Sequence, residues 1–448
     1  MHLSKQADYT IICKKNQNYT LFKDQKMYHN SFMPTPRLSL FADIYRSDAK
    51  VARFLSTLVF FGVSYGLYRG IQDNYLAEII HITPFERGIV EFFRETPGLL
   101  IILILALMYR FSDSRIFKIG VALASGGIAG LLFTSVDLLR TKFLVVLCMV
   151  IYSLGEHITM PVRSTISMDL AKKEKAGASL GVTSSITQFG QIFGFILVTA
   201  IFFILSRMGF ERTDLLGYRI VYGMAVALMV SSAMVAMALR ETTLKSQRRR
   251  FYFAKKFYKY YMLEVFYGAR KQIFLTFAPY VLILHYRADP SIMSILYAIC
   301  AGAGIICGPL TGRIIDKLGY KVVMVGDTII LVAVCLLYGF AHRIFPYRIA
   351  FFVVCANFVL DSIISMASMA SNVYVQRISA NQNEVTATLS TGLSVNHLIS
   401  IFIALIGGWI WKVTGIEFLF SLSAILGLLN SLYAATIKKS EEYKAAET

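Results

Sequence analysis

The sequence predicts an all-α integral membrane protein in which twelve transmembrane helices form two pseudo-symmetric bundles of six. Apolar residues make up 56% of the 448 residues and charged residues only 16%, below the roughly 25% that is typical of soluble domains. Apolar windows long enough to cross a bilayer recur along the whole chain. The polar stretch 240–263 separates six of these windows from six more, which indicates a duplicated architecture.

The windows are longer in several cases than the 20 or so residues that a bilayer requires, which indicates tilted helices or helix ends in water. In chain order the predicted spans are 54–76, 86–109, 116–134, 143–165, 177–205, 218–239, 264–285, 291–312, 322–341, 349–374, 385–411 and 416–436. They define five segments: a tail 1–50, a first bundle 51–240, a linker 241–263, a second bundle 264–438 and a tail 439–448.

The basic residues predict the orientation. Of the 45 Lys and Arg, 30 lie in the two tails and the loops on one side, 10 in the loops on the other side, and five inside spans. Because cytoplasmic loops carry the excess of Lys and Arg, both termini are predicted to be cytoplasmic. The same distribution accounts for the formal net charge of +18 without a nucleic acid partner, since the charge flanks the membrane.

Two polar segments carry their own signals. The tail lacks the apolar core of a signal peptide, so residues 1–32 are either a genuine cytoplasmic tail or precede a start of translation further downstream. The segment 246–261 interleaves basic and aromatic residues at helical spacing. This pattern favours a helix on anionic lipid headgroups, and a regulatory or partner-binding linker is the alternative.

Matching features in the two halves support the duplication. Tyr65-Gly66 and Ile71 recur 202 positions later as Tyr267-Gly268 and Ile273, and Arg69 then aligns with Lys271. An ionisable residue in a membrane helix costs roughly 2.5–3.5 kcal/mol on insertion scales. A cost repeated at matched positions indicates a transporter with a charged central cavity between its halves.

Two further pairs of positions agree with the same duplication. The fifth span mirrors the eleventh at an offset of 209, which aligns Gln188 with His397. Thr83-Pro84 and Asp289-Pro290 precede the second and eighth spans, where proline suits a helix start.

The loop after the eighth span carries the most specific motif of the chain. Its residues follow the spacing G-x-x-x-D-[RK]-x-G-x-[RK], with Gly312, Asp316, Lys317, Gly319 and Lys321 at the defined positions. The motif resembles the loop motif of the major facilitator superfamily, and with twelve spans the resemblance extends over 50–440. It implies the major facilitator fold and secondary transport. Asp316 is expected to cap a neighbouring helix and Gly312 to let helices approach.

The equivalent loop of the first half departs from this motif. Ala106 replaces the first glycine and Arg110 stands where the aspartate belongs, so Asp113 is expected to take over the cap. The segments 92–100 and 268–279 are similar to those of a group of bacterial superfamily members. This resemblance implies a multi-pass protein of the bacterial inner membrane that works as a monomer.

Ionisable residues inside the predicted spans are the candidate functional residues. Any one of them can be a structural pair, as Arg69 and Asp73 are at i,i+4 spacing, but the group indicates a polar pathway. The candidate substrate or proton pathway comprises Arg69, Asp73, Glu91, Arg94, Glu95, Glu156, His157, Arg163, Arg270, Lys271, Asp361 and His397. Pro97-Gly98 is expected to bend the second helix beside three of them.

The five cations and five carboxylates of this set suit a zwitterion or a proton-coupled organic anion, on which Arg69 and the Arg270-Lys271 pair are expected to converge. No Walker sequence or nucleophile elbow is present, at Ser153 or elsewhere, so the sequence predicts neither an enzyme nor a cofactor or metal. The predicted partners are a small solute, protons and the lipid bilayer. Two alternatives remain: a multidrug-type exporter, which the 33 Phe and 25 Tyr favour, and a transport-inactive sensor or scaffold.

Overall fold

Long helices account for nearly all of the computed structural model, which describes residues 43–45, 49–134, 138–172, 174–239 and 252–437. The first half, residues 49–239, contains six helices: α1 Ala49–Asn74, α2 Pro84–Leu107, α3 Asp113–Leu132, α4 Leu138–Leu170, α5 Ala176–Arg207 and α6 Leu215–Met237. A short π-helical turn, Tyr75–Ile79, extends α1.

The second half, residues 252–437, repeats this arrangement with one interruption. Its helices are α7 Tyr258–Leu284, α8 Pro290–Leu318, α9 Tyr320–Ile344, α10 Tyr347–Ile364, α11 Met369–Ile378, α12 Gln382–Thr414 and α13 Ile416–Ala435. The 3₁₀ turn Ser365–Ser368 joins α10 to α11, and the two helices form one membrane-length stretch.

Ten helical stretches are apolar and long enough to cross a membrane among the described residues, and the protein is a multi-pass membrane protein. Two long helices, α2 and α7, do not belong to these ten. They carry much of the predicted ionisable set, including Glu91 and Glu95 on α2 and Arg270 and Lys271 on α7. These two helices, together with α1, which carries Arg69 and Asp73, bring charge into the bundle.

Side-chain caps set the starts of α2 and α8. Thr83 accepts a hydrogen bond from the Glu86 amide, while the Glu86 carboxylate accepts one from the Thr83 amide, a reciprocal capping box. Asp289 accepts one from the Ile292 amide at 2.8 Å. A proline occupies the first helical position in both cases, so these two predicted helix starts are confirmed.

Small residues allow close packing within the first half. A Cβ atom built on Gly62 of α1 would lie 2.6 Å from the Thr187 carbonyl oxygen of α5, and one on Gly190 would lie 3.0 Å from the backbone of Val63. Close backbone approach of this kind replaces the hydrophobic driving force that is missing between helices in lipid.

The halves meet mainly along two helix pairs, α2 with α12 and α5 with α8. At the end of the bundle where α1 stops, polar contacts join the halves. Ser294 donates to the Gly70 carbonyl at 3.0 Å and Asn74 donates to the Ala288 carbonyl at 2.8 Å. We call this the sealed end.

At the opposite end of the bundle, several glycines of α5 and α8 face open space. Cβ atoms built on the glycines near the far ends of α5 and α8 would meet no atom within 4 Å. These glycines are Gly177, Gly181, Gly308 and Gly312. We call this the open end, because these glycines make no close contact with a neighbouring helix.

Two of the predicted polar segments pack more closely than expected. Tyr45, within the predicted tail 1–50, is buried and donates to the Ser179 carbonyl at 3.0 Å, whereas residues 1–42 lie outside the described residues. The predicted linker 241–263 contains the start of α7 at Tyr258, and Phe257 and Tyr260 are buried. The expected placement on lipid headgroups is therefore wrong for these aromatics.

Only the second part of the linker, from residue 252 onwards, belongs to the described residues. Residues 240–251, which include all the arginines of the linker, lie outside the described residues. Tyr252 donates to the Glu384 carboxylate at 2.7 Å, and Lys256 contacts the same group. The hydrogen bond to this carboxylate raises the pKa of the Tyr252 hydroxyl.

Candidate functional site

A chain of alternating charges runs along the interface of α1, α2 and α12. Its first members centre on Asp73, which lies 3.4 Å from Arg69 and 3.0 Å from Arg87. Tyr297 of α8 donates to the second oxygen of Asp73 at 2.5 Å. Asp73 therefore binds residues of both halves, and the predicted pair with Arg69 is only one of its contacts.

The chain continues along one face of α2. Arg87 pairs with Glu91, and Glu91 accepts a hydrogen bond from Arg94 at 2.7 Å. Arg94 also pairs with Glu95, whose other oxygen lies 2.9 Å from Nδ1 of His397 on α12. Three guanidinium groups and three carboxylates thus alternate, and a histidine of the second half ends the chain. We call these seven residues, Arg69, Asp73, Arg87, Glu91, Arg94, Glu95 and His397, the alternating-charge chain.

Arg87 is the member that the sequence analysis missed. It lies at the start of the predicted span 86–109 but is absent from the candidate pathway. Its side chain is fully buried between Asp73 and Glu91 and faces the Tyr280 ring at 5.5 Å. The spacing of positions 87, 91 and 94 places all three on one helix face, which is the signal that would have found it. Glu264 was also missed, at the predicted boundary of the seventh span. It is buried and accepts hydrogen bonds from Asn396 and Ser371.

A cavity of about 260 Å³ lies beside this chain, and its described lining belongs to the second half except for Arg69 of the first. Arg69 of α1 and Lys271 of α7 both line it, so the structure brings together the two cations that the internal repeat aligns. Most of the other lining residues are apolar or aromatic, including Phe274, Leu275, Tyr297 and Phe358. We call this space the Arg69–Lys271 cavity.

Arg270 lies elsewhere, although it is adjacent to Lys271 in sequence. It is buried and donates to Asp361 at 2.6 Å and to Ser365 at 3.1 Å. Asp361 lines the cavity, but its charge is matched by Arg270. Of the two cations predicted to converge with Arg69, only Lys271 faces the cavity.

The ionisable residues of α4 fall into two groups. His157 lies beside His397, with 5.2 Å between ring centroids. Glu156 and Arg163 are half-buried and form no salt bridge within the described part of the chain. Ser153 donates to the Arg94 carbonyl at 2.5 Å, so its hydroxyl joins two helices.

The gate-loop residues occupy the open end. Asp316, Lys317 and Gly319 are exposed, and Lys321 donates to the Ile437 carbonyl at 2.7 Å. Helix α9, which follows this loop, begins after Gly319, whose φ is +84°, and has no side-chain cap. The cap expected from Asp316 stays a prediction, and a Cβ atom built on Gly312 would meet no atom within 4 Å.

In the first half α3 is capped by Ser112, and the cap on a neighbouring helix that is expected from Asp113 stays a prediction. Ser112 accepts the hydrogen bond from the Arg115 amide at 3.3 Å, and Asp113 is the buried first residue of α3. The helix α2 continues through Pro97. Gly98 makes room there for two imidazoles, since its Cβ atom would lie 2.6 Å from Nε2 of His157 and 2.8 Å from His397.

Comparison with known families agrees with this arrangement. The family model for the Major Facilitator Superfamily matches residues 260–447, and the model for PUCC protein matches residues 20–244, just over half of the chain. The chain belongs to the major facilitator superfamily and, by its first half, to the PUCC protein family. Membership of this superfamily marks it as a transporter rather than an enzyme.

Solved transporter structures share the superfamily fold. The chain is similar to a variant of the nucleoside transporter NupG, with a TM-score of 0.68 and 13% identity. The similarity covers 87% of this chain and 100% of the NupG chain. It is similar to a D-xylose-proton symporter, with a TM-score of 0.66 and 16% identity over 88% and 98% of the two chains. At these identities the likeness establishes the fold alone.

A third similar structure is a bacterial homologue of the iron transporter ferroportin in an inward-facing state. Its TM-score is 0.65 at 14% identity, over 87% of this chain and 99% of that one. A comparison with curated proteins finds no match.

Proposed function

We propose that the protein is a secondary transporter that moves a small organic anion or zwitterion across the membrane by alternating access. The observation that carries this proposal is the position of Arg69 and Lys271, one from each half, on a single cavity. Cations that converge from opposite halves suit one carboxylate or phosphate group held between them.

The charge balance of the cavity supports an anionic group. Lys271 forms no salt bridge within the described part of the chain, and its ammonium lies 5.8 Å from the centre of the Tyr267 ring. Asp361 is the one carboxylate of the described lining, and Arg270 neutralises it. Arg69 shares Asp73 with Arg87. The cavity therefore has an excess of positive charge for a bound anion to neutralise.

The membrane arrangement is part of the proposal. We infer that α2 and α7 also cross the membrane, so that twelve spans form two bundles of six in a bacterial inner membrane, as a monomer with both termini cytoplasmic. Under this topology the sealed end faces outside and the open end faces the cytoplasm. A reporter that is active only outside the cytoplasm, fused after Thr448, should be silent. Reporter activity would show that the C-terminus lies outside and that the proposed orientation is wrong.

The contacts between the halves support alternating access. The contacts between the halves at the sealed end include the hydrogen bonds of Asn74 and Ser294, which lie among buried apolar residues such as Ile80 and Met293. Such contacts are weak enough to break when the halves rock around a bound solute. The opposite, outward-facing state would close the helices around Gly181 and Gly312, where space is now available.

Proton coupling is proposed at Asp361. A proton on this carboxylate would remove the charge that holds Arg270, and Arg270 is the residue next to Lys271. The released guanidinium would then add a third cation to the anion site. Substrate and proton would bind together by this route, as expected for a symporter.

The apolar lining keeps a multidrug-type exporter as the second candidate. Phe274, Leu275 and Phe358 would suit an amphipathic compound. The two functions differ in their dependence on charge. An exporter of amphipathic compounds should bind neutral and cationic ligands, whereas the proposed site requires an anionic group.

The experiment that tests the proposal uses the purified protein in detergent with panels of carboxylates, phosphates, zwitterions and lipophilic cations. A ligand of the folded state raises the melting temperature by mass action, and compounds that do so are then assayed for uptake in proteoliposomes. Stabilisation by anions alone supports the proposed site. Stabilisation by lipophilic cations favours the exporter, and binding without transport favours a sensor.

A further inference from the structure

A second cluster of polar side chains lies outside the Arg69–Lys271 cavity. Glu95 of α2, His157 of α4 and His397 of α12 each offer a ligand atom, and these atoms lie within 4.8 Å of one another. None of the three residues lines the cavity. We propose that this cluster binds a first-row divalent transition-metal ion, such as Zn²⁺ or Co²⁺, and that the bound ion bridges the two halves of the protein.

The donor set determines the class of ion. Two imidazoles and one carboxylate suit Zn²⁺, Co²⁺, Ni²⁺ or Fe²⁺, whereas Mg²⁺ and Ca²⁺ prefer oxygen ligands. Arg94 contacts one oxygen of Glu95, and the other oxygen lies 2.9 Å from Nδ1 of His397. The carboxylate therefore keeps one oxygen directed towards the imidazoles.

His157 is oriented as a metal ligand should be. Its Nδ1 lies 2.8 Å from the Ser153 carbonyl oxygen, so this nitrogen carries the hydrogen and Nε2 keeps its lone pair. A hydrogen bond from the second ring nitrogen to a carbonyl is the usual way in which proteins fix a ligating histidine. The hydroxyl of Ser153 donates to the Arg94 carbonyl at 2.5 Å, which holds α4 against α2 at the cluster.

The space around the imidazoles is built into α2. A Cβ atom on Gly98 would lie 2.6 Å from Nε2 of His157 and 2.8 Å from Cε1 of His397, so no other residue leaves both rings in place. Two ligands of one tetrahedral Zn²⁺ lie about 3.4 Å apart, given metal–ligand distances of about 2.1 Å. Small rotations of side chains that already lie within 4.8 Å achieve this spacing.

The local charge also admits a cation. Arg94 is the adjacent positive group, and it is shared by Glu91 and Glu95. Glu156 lies next to His157 and forms no salt bridge within the described residues. Three protein ligands leave at least one coordination position for water, so the ion is expected to exchange readily.

The bridge has a conformational consequence. Glu95 and His157 belong to the first half, and His397 belongs to the second. An ion bound to all three joins α2, α4 and α12 and stabilises the conformation in which the sealed end is closed. The inference is independent of the proposed anion transport, because metal binding is measured on the purified protein without a transported solute.

The test is titration of the full-length protein in detergent with Co²⁺ and Zn²⁺. Co²⁺ should produce the visible absorption of a site with nitrogen ligands, and Zn²⁺ should displace it in a 1:1 ratio while raising the melting temperature. His397→Gln and His157→Gln should each weaken Co²⁺ binding about tenfold or more, as loss of a ligand does. His81→Asn is the matched control: it removes an exposed histidine with φ of +55° and should leave binding unchanged.

Two ligand variants on different helices guard against a folding defect. Each variant is checked for a monodisperse elution profile before titration, and Glu95→Gln provides a third. Unchanged Co²⁺ affinity in monodisperse His157→Gln and His397→Gln overturns the proposal, as does equal loss in His81→Asn. Anion binding measured on the same samples shows whether the two sites fail separately.

Discussion

The Tyr297 hydroxyl donates a hydrogen bond of 2.5 Å to Asp73, and this bond connects α8 of the second half to α1 of the first. Tyr297 also lines the Arg69–Lys271 cavity, and its ring lies 5.3 Å from the Arg69 guanidinium. A solute bound in the cavity would therefore touch the same residue that joins the halves.

Replacement of this tyrosine tests the connection. Tyr297→Phe removes a hydrogen bond to a charged group, which contributes about 1.5–3 kcal/mol, so we expect the sealed end to open more often. Hydrogen–deuterium exchange over residues 285–294 should become faster. Tyr338→Phe is the matched control, because the Tyr338 hydroxyl donates to the Ala278 carbonyl within the same half; an equal effect there would contradict the prediction.

The anion site is tested at Lys271. Lys271→Gln should weaken binding of an anionic substrate roughly tenfold to a hundredfold, as expected when about 1.5–3 kcal/mol of charged contact is lost. Its folded yield should stay near that of the wild type, since no described carboxylate depends on it. Arg270→Gln should instead lower the folded yield, because it leaves Asp361 without its cation. Wild-type affinity of Lys271→Gln for the anionic substrate would refute the proposed anion site.

Asp361 tests the proposed coupling to protons. Asp361→Asn cannot be protonated, so substrate binding should persist while uptake in proteoliposomes loses its response to an imposed pH gradient. The control is Asp327→Asn, which changes a partly buried aspartate of α9 that does not line the cavity. A pH response that survives in Asp361→Asn assigns the proton to another residue.

Arg87 provides a test of stability. Arg87→Gln leaves Asp73 and Glu91 short of a partner, and breaking a buried ion pair on one side costs about 3–5 kcal/mol. The double variant Arg87→Gln, Glu91→Gln should recover much of the loss. Lys142→Gln, which breaks a partly exposed pair with Glu86, should cost at most about 1 kcal/mol. Comparison of melting temperatures in detergent decides between these outcomes.

Gly98 is expected to be intolerant of any side chain. Gly98→Ala places a methyl group against both imidazoles, and overpacking of this kind costs about 1–3 kcal/mol. It should also weaken Co²⁺ binding. Gly126→Ala on α3 is the control, since its Cβ atom would meet nothing within 4 Å. Equal melting temperatures for both variants would show that the imidazoles move freely.

The helices could be predicted from the sequence because each apolar run determines the structure of its own segment. The caps at Thr83 and Asp289 are equally local, since the residues that form them are three positions apart. The alignment of Arg69 with Lys271 was also available, because duplication leaves a trace at a fixed offset. These features required no knowledge of how the helices pack.

Contacts between helices were harder to predict. Arg87 lies in the first turn of α2. At a helix end, the composition of the sequence does not show whether an arginine is exposed or buried. Tyr297 carries no charge, so a search for ionisable residues passes over it. His157 and His397 lie 240 positions apart, and no spacing rule connects them. Their proximity depends on how α2, α4 and α12 cross.

The alternating-charge chain also constrains how this protein can change over generations. Loss of a single member leaves a neighbour of opposite sign uncompensated inside the bundle, whereas loss of two adjacent members leaves the rest balanced. Relatives that lack an arginine equivalent to Arg87 should therefore also lack one of its carboxylate neighbours. Residues of the chain would then be substituted in pairs during evolution. At Tyr297 and His397, a substitution in one half would require a compensating substitution in the other half.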